Sequence, residues 1–85
     1  MAGAIYSEAQ NSVARALTAA RLNSGLKQAE LAKAIGKHQS YISDIERGQR
    51  RVDILEFYVL ARAMNLDPAA LYAEVTKELP ATVRI

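Results

Sequence analysis

Five polar side chains, Gln39, Ser40, Ser43, Asp44 and Arg47, fall on the outer side of one short amphipathic segment. Their shared chemistry is hydrogen bonding rather than bond cleavage. A glutamine amide carries a donor and an acceptor side by side and can pair with N6 and N7 of adenine at once. A serine hydroxyl is short and adapts to several bases or to a phosphate. Ser43 lies one helical turn beyond Gln39 and Ser40, on the same face. Asp44 is the awkward member. Phosphates repel a carboxylate in a groove, where its main use is to accept from cytosine N4. A pair with Arg47, three residues on, is the reading we favour, because it would aim the guanidinium at the sugar-phosphate backbone. Around this set, His38 borders the same surface or is a plain polar turn residue. Tyr41 packs inward or offers its hydroxyl to a phosphate. Arg50 and Arg51 follow a glycine turn, either as a charged surface loop or beside the phosphate backbone, where one could enter a minor groove.

These residues need two short helices to hold them. Ile42 and Ile45, three apart, give the segment from about Gln39 to Arg47 an inner face. Leu31 and Ile35 share a face of the preceding segment, about Gln28 to Ile35, and Ala32 is small enough for a second helix to cross close by. Gly36 stands where a helix stops with one residue in the left-handed conformation. The stretch QAELAKAIGKHQSYISDIERG thus reads as a helix-turn-helix. Its second helix starts poorly capped, because His38 stands where Ser or Thr would serve better. Gln28 opens the first, where free N–H groups and the helix dipole suit a phosphate.

Three more helices flank the pair. The first is expected from about Ser7 to Ser24 after a loose start, Met1 to Tyr6, with a Ser7–Gln10 capping box. Val13, Leu17 and Ala20 form its stripe and Gly25 stops it. Asp53, with Glu56 three later, caps a helix whose inner face is Phe57, Leu60, Ala61 and Met64. Asp67-Pro68 starts a fifth, with the stripe Leu71, Val75 and Leu79, ended by Pro80 before the tail Ala81–Ile85.

The whole pattern resembles the phage-repressor/Cro-like helix-turn-helix family of DNA-binding proteins, from about Val13 to Leu71. The resemblance rests on LKQAELAKAIG, YISDIERG and FYVLARAMNLDPAALY. It implies an all-α, compact five-helix domain whose third helix enters the major groove by its N-terminal end. It also implies that Gln28 contacts phosphate and steadies the first side chain of that helix. Glu46 would pair internally with Arg21, which occupies the matching place on the first helix. Tyr41 would lean toward a backbone contact, and Lys37 stands where many relatives have an apolar residue. The DNA-contacting set is then Gln28, His38, Gln39, Ser40, Tyr41, Ser43, Asp44, Arg47, Arg50 and Arg51.

Composition bounds the function. Eighty-five residues make one small domain, with a core at about 7–79 and residues 68–85 assigned to dimerisation. With no cysteine and one histidine, a structural zinc site is not expected, and no cofactor is implied. No catalytic constellation is present, so an enzyme is not expected. No apolar run nears the ~20 residues that span a bilayer, and no signal peptide opens the chain, so a cytoplasmic protein is expected. The net charge of +2 is mild but uneven: Lys27 to Arg51 holds six basic and three acidic residues. A basic motif suits phosphates, and a solvated basic face is its plain alternative.

The expected function is a sequence-specific transcriptional regulator of the phage-repressor or restriction-modification controller type, with its own gene among the candidate targets. It would bind double-stranded DNA as a homodimer on a pseudo-palindromic operator, through half-sites roughly 34 Å apart. Leu71, Tyr72, Val75, Leu79 and the Ile85 end are the expected dimer surface. The rival is an antitoxin or other interaction module whose main partner is a protein, such as a toxin or polymerase.

Overall fold

The computed structural model describes residues 2–83, with side chains from residue 8 onward. Five helices follow in order: α1 Ala2–Asn23, α2 Gln28–Ala34, α3 Gln39–Glu46, α4 Ile54–Ala63 and α5 Pro68–Thr76. Among the described residues there is no strand. Met1, Arg84 and Ile85 lie outside them, and with Ile85 goes the end of the expected dimer surface.

α1 corrects the expected start. It begins at Ala2, so residues 2–6 are helical and Ser7 is no N-cap. The run from Ala2 is alanine-rich and has no proline, and propagating an existing helix costs little once it is nucleated. Gln10, expected to complete a capping box, instead reaches the Gly48 carbonyl at 3.5 Å.

The core forms where α1 meets α3 and α5, and where α2 and α4 close on them. Leu17, Leu31, Ile42, Ile45, Leu60, Met64, Leu71 and Val75 fill it, with Ala32 and Ala61 at the closest crossings. Ala61 has no exposed surface, so any larger side chain there would force the helices apart. Both helices of the motif stop in the same way. The Gly36 N–H donates to Lys33 O and the Lys37 N–H to Ala32 O, closing α2 with Gly36 at φ +71°. Gly48 repeats the arrangement after α3 at φ +74°, and there a Cβ would overlap the Asn11 side-chain oxygen of α1. Glycine at 48 therefore lets α3 exit directly against α1. Asn65 makes the equivalent turn after α4, at φ 59°.

α5 carries the second correction. It ends at Thr76, whose hydroxyl donates to Tyr72 O, and Leu79 sits in the following turn with its N–H on Thr76 O. Leu79 precedes Pro80, and a residue before proline is pushed out of the helical region. Leu71 and Val75 are each 4% exposed, buried in this chain's own core. Two members of the stripe expected to meet a second copy, Leu71 and Val75, are thus already covered; among the described residues of that group Leu79 is half-buried and Tyr72, 55% exposed, is open. Leu71→Ala should accordingly cost about 2–5 kcal/mol in urea unfolding. Val75→Glu should remove the cooperative thermal transition altogether, whereas residues on a free stripe would shift stability by less than about 0.5 kcal/mol.

Candidate nucleic-acid interface

The site is built outward from one buried ion pair. Arg21 of α1 donates from Nε to Glu46 Oε2 at 2.6 Å and from Nη2 to Oε1 at 3.0 Å, a two-pronged grip. Its Nη1 donates to Leu26 O at 2.7 Å, so the same guanidinium also closes the α1–α2 turn. Both side chains are about nine-tenths buried. The hydrogen bonds to Glu46 raise the Arg21 pKa still further, so the guanidinium keeps its charge.

From Glu46 the network runs to the surface with its polarity dictated. A carboxylate only accepts, so Gln28 must turn its NH2 toward it, and Nε2 donates to Glu46 Oε1 at 2.9 Å. Gln28 Oε1 is then left as an acceptor. Gln39, the first residue of α3, donates to it from Nε2 at 3.2 Å. Gln39 thus shows solvent its own amide oxygen and one remaining N–H. Arg21, Glu46, Gln28 and Gln39 lie far apart in sequence and form one chain of bonds.

The rest of the outer face of α3 follows. His38 is the third correction: it does cap the helix. Its Nδ1 accepts from the Ser40 backbone N–H at 3.3 Å and lies 3.1 Å from Ser40 Oγ. Ser40 and Gln39 are exposed, Ser43 and Asp44 half-buried. Asp44 pairs with Arg47, the arrangement favoured from their spacing. The helix therefore presents amide, hydroxyl and guanidinium groups in a row, with the one carboxylate already occupied.

Beside this row lies a cluster that sequence reasoning missed. Tyr41 packs inward, half-buried, with the Arg50 guanidinium 4.7 Å and the Lys37 ammonium 5.2 Å from its ring centre. Arg50 Nη2 donates to Glu56 Oε2 at 2.7 Å, while Glu56 Oε1 accepts the Asp53 N–H at 2.9 Å. That backbone bond first, and Arg50 second, hold the Glu56 carboxyl down to about 2. Burial first, and the adjacent Glu56 second, push the Tyr41 hydroxyl up. Arg50 and Glu56 are six residues apart across a loop, so no helical spacing announces them. The same spacing rules are blind to a histidine that caps through Nδ1. Arg51 stays exposed in the same loop. Among the described residues no group of three His, Cys, Asp or Glu side chains is arranged to hold a metal ion. No described helix is long and apolar enough to cross a membrane.

A helix-turn-helix family model matches residues 17–71. The chain is 32% identical to an XRE-family like protein from Pseudomonas syringae, over 92% of this chain and 95% of that one, with a TM-score of 0.77. It is also 32% identical to the restriction-modification controller protein C.AhdI from Aeromonas hydrophila, over 78% and 96%, with a TM-score of 0.71. The clp gene regulator ClgR from Corynebacterium glutamicum, 23% identical over 87% and 96%, has the same fold at a TM-score of 0.76. No curated protein matches the chain.

Two consequences of the geometry are measurable. Arg21→Ala leaves Glu46 buried without its cation and should cost about 3 kcal/mol or more in urea unfolding; a loss near zero would show the pair to be dispensable. Glu56 has a depressed carboxyl pKa, so its share of stability is fully present above the ordinary value of 4.5 and is lost as pH falls toward about 2. Acid unfolding of the parent should steepen across that window, and Glu56→Gln should flatten it there while leaving the neutral-pH profile parallel.

Proposed function

The chain belongs to the helix-turn-helix family of XRE-type DNA-binding regulators, and from that premise we propose that it is a sequence-specific transcriptional regulator reading DNA with α3. The observation that carries this reading is the fixed amide of Gln39. With one N–H committed to Gln28, its free oxygen and second N–H match the N6 donor and N7 acceptor of adenine in the major groove. Ser40 and Ser43 supply hydroxyls on the same face, for a base edge or a phosphate. Arg47, steered by Asp44, and Arg50 and Arg51 in the exit loop serve the sugar-phosphate backbone. Gln28 keeps one N–H for a phosphate after bonding Glu46. His38 and Tyr41 shape the interface, by capping α3 and by bracing Arg50, rather than by reading bases.

In this reading residues 1–85 act as one unit, and two copies engage a pseudo-palindromic operator, one α3 per major groove. A promoter next to its own gene is a natural first target for such a regulator, and the cytoplasm its place of work. The homodimer stands on two grounds. A single short α3 reads only a few base pairs, and repeating it across a two-fold axis multiplies specificity without a second fold.

Binding selections from random duplexes, followed by footprinting, test the proposal. Gln39→Ala should lose about 1–3 kcal/mol on the selected site and relax preference at one position per half-site, with little change on random DNA. Equal losses on both would remove it from base reading. Arg50→Ala and Arg51→Ala should weaken both kinds of DNA and lower the salt slope by about one per lost phosphate contact; an unchanged slope would take that arginine off the backbone.

A further inference from the structure

On the side of α1 turned away from α3, α1 and α5 leave a groove of about 500 Å³ between them. Along α1 it runs from Ser12 to Ser24, about 18 Å at the rise of a helix. Its floor is made of methyl groups: Ala16 and Ala20 of α1, both half-buried, with Leu71 and Val75 of α5. Ala19 and Ala70 continue the two walls and stand exposed. Ser12, Ala16, Ala19 and Asn23 follow one face of α1 at helical spacing, whereas Gln10 and Arg21 reach Gly48 and Glu46 from the opposite face. An occupant of the groove would therefore leave α3 uncovered. The rim is unevenly charged. On the α5 wall Asp67, Glu74 and Glu78 stand against Lys77, which already pairs with Glu74 at 3.1 Å, and the α1 wall adds Arg15. None of the cations between Lys27 and Arg51 lines the groove, so it is no second surface for phosphates.

We propose that this groove docks an amphipathic helix of a partner protein, about three turns long, with an apolar ridge and a basic edge laid along α5. Shape and charge both support that occupant. The alanines stop at Cβ on both walls, so a third helix can approach closely, and a ridge of leucine-sized side chains fills the space they leave. The basic edge then meets the acidic wall of α5, which selects for the partner's orientation as well as its charge. A small molecule suits the groove less well. Such ligands are held by near-complete burial and converging polar groups. This groove is open along its length, no aromatic side chain lines it, and the Ser24 hydroxyl is already committed to Ala20 O at 2.8 Å. The inference does not rest on the DNA-binding reading; it gives the chain a surface for a protein while α3 stays free.

Two stapled peptide helices of about twelve residues, each with a leucine ridge, serve as probes, one edged with lysines and the other with glutamates. Titrated into the isotope-labelled chain, the lysine peptide should shift the amide resonances of Ala16, Ala19, Ala70 and Glu74 and leave those of Ser40 and Ser43 in place. The glutamate peptide should bind at least about tenfold more weakly, because like charges meet across the contact. Ala70→Arg puts bulk and a cation into the groove at an exposed position, and should abolish lysine-peptide binding with the parent's circular dichroism retained. Ala29→Arg, the same change at an exposed position of α2, should leave binding intact. The competing apolar surface is the outer side of α4, where Ile54, Leu55, Tyr58 and Val59 are exposed, and Leu55→Glu should not weaken the peptide. Shifts centred on α4, equal affinity for the two peptides, binding that survives Ala70→Arg, or no binding at all would each overturn the proposal. Shifts at the same amides on raising the chain's own concentration would give the groove to a second copy and overturn it too. If the lysine peptide binds as stated but the chain selects no DNA sequence, the groove stands and the DNA-reading proposal falls alone.

Discussion

The arrangement of the motif depends on the carboxylate of Glu46, a group that can only accept. Held from one side by the Arg21 guanidinium, it must take its remaining donor from Gln28, and that choice propagates to Gln39. Three helices are thereby locked to one another by the direction of donors as well as by packing. Desolvating two charges offsets most of their attraction, so the pair is better understood as fixing geometry than as supplying net stability. Apolar side chains of the same volume could hold α1 against α3, but they would leave the Gln28 and Gln39 amides free to flip. What the buried charge contributes is a defined orientation at a surface residue two links away.

Glu56 repeats the device on the other flank. It closes the capping box of α4, anchors Arg50 and sits beside the Tyr41 hydroxyl. α3 is therefore braced at its start through Gln28 and at its middle through Tyr41. Because Glu56 lies in the first turn of α4, the brace also couples the exit loop to the helix whose outer face is apolar. A displacement of α4 would be felt at Arg50 first, and through the ring of Tyr41 by α3.

Most of the architecture is legible in the sequence because it rests on local rules. Gly36 and Gly48, Asp53 with Glu56, and Asp67-Pro68 mark helix ends by mechanisms that act within four residues, and each marks one here. The Asp44–Arg47 pair is local too. Arg21–Glu46 spans 25 positions and is reached only through resemblance to a family. The misses share a cause. Ser7 and Gln10 make a valid capping pattern, but nothing local says whether a helix has already begun upstream. Leu71, Val75 and Leu79 share a helical face on paper. Which of them the core takes depends on where α1 lies, and Pro80 withdraws Leu79 from the helix. Conversely, the outward side of α4 escapes a sequence reading because Phe57, Leu60, Ala61 and Met64 already make a sufficient inner face, and a second apolar stripe raises no question. His38 and Arg50 look like isolated polar groups, since their partners are a backbone N–H and a carboxylate across a turn.

The distribution of charge bears on how a chain with so mild an excess of cations could act on DNA. Between Lys27 and Arg51 the excess is three positive charges, and two of the arginines, Arg47 and Arg50, already carry acidic partners. Each pairing lowers the attraction to any phosphate while restricting where the guanidinium can point. Counterion release rewards cations without regard to sequence, so muting it suppresses binding at random sites more than at sites where oriented side chains also read bases. A single copy built this way would bind weakly everywhere. Its selectivity would then rest on the oriented amide and hydroxyls of α3 rather than on charge.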